Sequence, residues 1–141
     1  MYNFKKYLLF ITLSFMFSIP IKSHANTANV YNTVENFYGI HPLIGMVFCE
    51  HYSSKINTFE SNALNQELNS QIPQLWQAFE PSLMSQLQVR TLPGLYKLVT
   101  ENFEIGYKRE SGAAGTGNFV QDLKNSNTSA VFIAACMRQL L

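Results

Sequence analysis

Along the first half of the chain, large apolar residues recur every three to four positions. Phe48, Tyr52, Ile56, Phe59 and Ala63 step by 4, 4, 3 and 4, while Glu50, Ser54, Asn57 and Ser61 step by 4, 3 and 4 on the other side. Two interleaved rows of that period predict one long amphipathic helix, apolar toward a core and polar toward solvent. Upstream, Val30, Val34, Phe37 and Tyr38 share a helical face, and Gly39 is placed to stop that helix in a left-handed cap. Pro42 then stands where a first helical turn tolerates it.

The middle is divided by prolines. Pro73 is expected to open a short helix carrying Leu75, Trp76 and Phe79, and Glu80-Pro81 to break it. Leu83, Met84 and Leu87 continue the apolar stripe. After a turn at Pro93-Gly94, Leu95, Leu98, Val99 and Phe103 predict another helix. Phe103, Ile105 and Tyr107 also alternate with Glu104, Gly106 and Lys108, so a short strand near 103–108 is the competing expectation. Gly112 to Gly117 predicts a loop, with Asn118 capping a short turn. At the C-terminus, Asn127, Thr128 and Ser129 offer cap residues. Phe132, Ile133, Cys136, Met137 and Leu140 then form one stripe, with Arg138 opposite. The expected fold is all-α: a small bundle of four to six helices.

The first 25 residues are patterned differently. Lys5 and Lys6 precede the apolar run Tyr7–Ile19, Pro20 ends it, and Ser23-His24-Ala25 supplies the small-x-small site of a signal peptidase. A membrane span needs about 20 apolar residues, more than this run contains. Residues 1–25 are therefore expected to be a cleaved secretory signal of bacterial type. One helical domain, 26–141, is expected to remain, periplasmic or secreted, with no membrane span.

Export changes the meaning of the two cysteines. In an oxidising compartment an even count predicts a disulfide, and Cys49 and Cys136 both lie on inward faces of predicted helices. Loss of the signal also removes Lys5, Lys6 and Lys22, so seven bases face nine acids. That balance argues against nucleic acid, which is bound through a basic patch.

Candidate chemistry is thin. Cys49-Glu50-His51 looks like a catalytic cluster, but neighbours on a helix point about 100° apart and do not converge. Glu50 is expected on the solvent side. His41 and His51 fit no metal-binding spacing, and Met46, Met84 and Met137 are expected as core fillers. Gly112–Gly117 lacks the Lys-Ser/Thr ending of a phosphate loop, and Asn127-Thr128-Ser129, a glycosylation sequon, fits a helix cap. No metal and no cofactor are expected.

The segment Gln71–Leu87 stands out, because Leu75, Trp76, Phe79, Leu83, Met84 and Leu87 exceed what one helix face can bury. The leading expectation is a non-enzymatic module: an accessory subunit, immunity protein or chaperone binding another exported or envelope protein through Leu75, Trp76, Phe79 and Leu83. The alternatives are a secreted effector or small hydrolase with a site assembled in three dimensions, and a carrier of small apolar ligands.

Overall fold

Val30, Val34 and Phe37 point inward from the first helix, α1 (Thr27–Ile40), at the spacing the sequence predicts. The computed structural model describes residues 27–111 and 117–140. The expected signal, and all but the last residue of the glycine-rich stretch, lie outside the described residues. Gly39 is helical and adopts no left-handed conformation. What ends α1 is Pro42: its ring pushes His41 into extended backbone, φ −168° and ψ 138°, and the chain turns there.

The next helix, α2 (Pro42–Ser53), is the hub. Every residue from Leu43 to Cys49 is buried, because α1, α3, α5 and α7 all pack on it. This is where the predicted long helix fails. An amphipathic helix exposes one face; α2 exposes almost none and stops at Ser53, and the chain restarts at α3 (Phe59–Gln77). The restart is held by a reciprocal cap. Thr58 Oγ1 accepts the Ser61 N–H at 3.1 Å, and Ser61 Oγ accepts the Thr58 N–H at 2.9 Å. Ser61, predicted to face solvent, is buried and donates to Ile56 O at 2.8 Å, whereas Phe59 is 84% exposed. The buried row of α3 is Ser61, Leu64, Leu68 and Ile72. Pro73 lies inside α3 instead of opening a helix of its own.

Glu80-Pro81 breaks the chain as expected and begins α4 (Pro81–Leu87), which ends at Gln88 in the left-handed region, φ 57°. In α5 (Leu92–Ser111) the buried positions Leu95, Val99, Phe103 and Tyr107 are four apart. That helical period overrides the alternation that suggested a strand, and 103–108 is helix. Pro93 and Gly94 belong to its first turn, where Thr91 Oγ1 accepts the Gly94 N–H at 3.1 Å. Asn118 caps α6 (Phe119–Asp122) as predicted. The cap of α7 (Ser126–Leu140) comes earlier than predicted: Asn125 Oδ1 accepts the N–H groups of Asn127 and Thr128 at 2.9 and 3.3 Å.

The all-α bundle is thus seven helices among the described residues, not four to six, because the long helix divides and α4 and α6 are short. Its centre is a set of rings. Phe48 stacks on Phe37 at 4.3 Å and meets Phe103 edge-on at 4.8 Å, with Tyr52, Phe119 and Phe132 within 6.2 Å of it. Beside them the Cys49–Cys136 disulfide joins α2 to α7, with Cα atoms 5.9 Å apart and both residues fully buried. Met137, expected in the buried stripe, is 46% exposed. Close approach of α1 to α2 depends on Gly45, where a Cβ would lie 2.4 Å from the Tyr38 ring. No helix among the described residues is long and apolar enough to cross a membrane.

Candidate functional site

Two places gather side chains that could act outside the core. The first is the corner where α3 gives way to α4. Ala78 caps α3, its N–H donating to Gln74 O, and Pro81 starts α4 three residues later. Within that short reversal Phe79 turns inward and is 3% exposed. Trp76 stacks on it with centroids 5.6 Å apart, and His41, from the start of α2, meets Phe79 edge-on at 5.0 Å. Leu75, Trp76, Leu83 and Met84 are each half-buried against the core, so their outer surfaces stay in solvent. At the far end of α4, Met84, Ser85, Gln88, Val89 and Arg90 line a surface groove of about 350 Å³.

His41 is built into this corner by Pro42. Standing before the proline makes it the N-cap, and its Nδ1 accepts the Leu43 N–H at 3.0 Å. Burial pushes its imidazole below the usual value, and the Glu80 carboxylate opposes that shift.

The second place is polar and lies where α2, α3 and α5 meet. Glu50 Oε1 accepts the Tyr96 hydroxyl at 2.6 Å and Oε2 accepts Asn65 Nδ2 at 2.8 Å. Asn65 Nδ2 also lies 3.0 Å from Glu50 O and 3.1 Å from Ser53 Oγ. Tyr52 donates to Glu104 Oε2 at 2.7 Å. Burial, reinforced by these bonds, raises both phenols far above their usual range. His51 sits beside them, edge-on to Tyr52 at 4.7 Å. Burial and then Lys55 lower its imidazole, against the pull of Glu104 and Glu50. Both oxygens of Glu50 are already engaged by the chain itself, so this group fastens three helices together.

The predicted residues divide accordingly. Cys49 and Cys136 form the bridge, and no free cysteine stands beside either histidine. Leu75, Trp76, Phe79 and Leu83 do come together, but Phe79 is the floor of the cluster and not part of its outer face. Glu50, predicted for solvent, is the polar hub. Among the described residues no three His, Cys, Asp or Glu side chains gather as a metal site would require. Sequence reasoning missed the part played by His41, although its position before Pro42 marked it as an N-cap. The Glu50–Asn65–Tyr96 group left no local signal, because its members are 15 and 46 residues apart. Comparison with family models, curated proteins and solved structures finds no match, so function is argued from this geometry.

Proposed function

We propose that the chain is an exported, non-enzymatic binding module that docks another exported or envelope protein through the α3–α4 corner. Its contact face is Leu75, Trp76, Leu83 and Met84, with Phe79 as the buried support. Residues 1–25 serve as the cleaved signal, and the folded part works in the periplasm or outside the cell as an accessory subunit, immunity protein or chaperone. The observation that carries this reading is the Trp76–Phe79 stack. The inner ring is buried while the outer one keeps part of its surface in water, beside three further half-buried apolar side chains. Aromatic residues held rigidly at the edge of a core are the usual energetic centres of interfaces. A disulfide, and the absence of a spanning helix among the described residues, are compatible with that compartment.

Affinity capture from the exported fraction, with the wild-type protein and with Trp76→Ala, tests the proposal. The expected result is a specific partner whose affinity falls by about 30-fold or more, the factor that about 2 kcal/mol represents. Trp76→Ala should itself cost folding only about 1–3 kcal/mol, since it removes a half-buried ring from one stacking contact. Loss of the fold without a specific binding defect would return Trp76 to the core.

A further inference from the structure

The ring of His41 touches two parts of the molecule at once. Its Nδ1 caps α2 by accepting the Leu43 N–H, and its plane meets Phe79, on which Trp76 stacks. The residue after Phe79 is Glu80, the N-cap of α4, whose side chain makes no hydrogen bond to its own helix. An imidazole that accepts at Nδ1 carries its hydrogen on Nε2. A proton added from solvent at Nδ1 turns that acceptor into a donor, and the Leu43 N–H loses its partner. It also places a cation at the positive end of α2, where the helix dipole disfavours it.

The surroundings decide where the charged ring goes. Glu80 is the charged side chain whose field reaches it. On α1 the titratable group at this end is Tyr38, whose buried phenol stays protonated far above neutral pH. The last turn of α3 offers the neutral Gln74 and Gln77, the first turns of α2 carry no charge, and α7 begins with the uncharged Ser126, Asn127, Thr128 and Ser129.

We infer that His41 is a proton-operated latch on the α3–α4 corner: uncharged it fastens Phe79 to the capped start of α2, and charged it swings to Glu80 and lets the Trp76–Phe79 pair move. As a control on binding this rests on the docking role proposed above. As a movement of Trp76 it stands alone.

Trp76 is the one tryptophan of the chain, so its emission reports the corner directly. Titrated from pH 8 to 5, the wild-type emission should change in one step with its midpoint below about 6.5, the ordinary histidine value. His41→Asn keeps a capping side chain that does not titrate; it should abolish the step while circular dichroism shows the fold intact. His51→Asn should keep the step, and Glu80→Gln should move its midpoint lower. Constant wild-type emission, or a step that survives in His41→Asn, overturns the latch. Should His41→Asn fail to fold, ring nitrogen shifts of His41 in the wild-type protein replace it: their midpoint must coincide with that of the emission, and a mismatch overturns the latch equally. An emission step together with partner capture equal at pH 7.5 and 5.5 upholds the latch and removes its control over docking.

Discussion

The two ends of α2 lie in very different surroundings. Toward its C-terminal half, Phe48 and Cys49 are wholly enclosed: rings from α1, α5, α6 and α7 surround the first, and the bridge to α7 consumes the second. At its N-terminus the cap residue His41 faces a corner of half-covered side chains, where a proline lies inside α3 and α4 is only seven residues long. Both regions are rich in aromatic residues. They differ in enclosure: the rings of the interior set are buried, whereas Trp76, stacked on Phe79, is half-buried. Aromatic content alone therefore does not separate enclosed positions from half-covered ones.

Removing the bridge should produce the largest effect. Cys49 and Cys136 close a loop of 87 residues, for which chain entropy gives an upper figure of about 4–5 kcal/mol. Cys136→Ala should lower the melting temperature sharply. In the wild-type protein, alkylation without reductant should label neither sulfur, since both are held in the disulfide and neither is a free thiol. Ready labelling of the native protein would break the picture of a sealed interior.

A paired truncation measures the contrast directly. Phe48→Ala should cost about 3–5 kcal/mol in urea unfolding, and Leu83→Ala less than about 2, because the first empties an enclosed site and the second trims a half-solvated one. Equal costs would erase the distinction between the regions. Gly45→Ala is smaller: its Cβ would meet the Tyr38 ring at 2.4 Å, and shifting α1 from α2 should cost about 1–3 kcal/mol. A neutral result would mean that the α1–α2 contact yields more easily than the ring core.

The smallest effect is that of pH, and it has a definite sign. Burial lowers both His41 and His51, so the unfolded chain binds more protons near neutrality and folding weakens on acidification. Stability conferred by the uncharged rings is present above about pH 6.5 and is lost as pH falls through their lower folded values. Urea midpoints at pH 7.5, 6.5 and 5.5 should decline in that order, and less steeply once both residues are replaced by Asn. A midpoint that rises on acidification would contradict the assignment of both rings as uncharged.

Much of the architecture was legible in the sequence wherever one stripe had one partner. The inward faces of Cys49 and Cys136, the break at Glu80-Pro81 and the cap at Asn118 follow from periodicity and turn chemistry alone. The division between α2 and α3 was hidden because the 4-4-3-4 spacing from Phe48 to Ala63 runs unbroken through the turn at residues 54–58. The Thr58–Ser61 pair that enforces the turn is small and polar, and it reads equally well as a solvent face. At the corner, the surplus of apolar residues over one helix face was visible, but the choice of Phe79 for the interior over Trp76 depends on where α2 begins. Glu50 needed Asn65 and Tyr96 brought from distant helices before its half-buried position made sense.

The bridge has a further consequence, one of connectivity. A single peptide-bond cut anywhere between Cys49 and Cys136 leaves both fragments on one covalent skeleton, because the sulfurs still join α2 to α7. Six of the seven described helices lie wholly or partly inside that closed ring, and α1 lies outside it. Among proteases, the chain behaves as a loop with a tail at each end: a single nick within the loop opens the ring without shedding mass, whereas cuts ahead of Cys49 or after Cys136 release a piece held by packing alone.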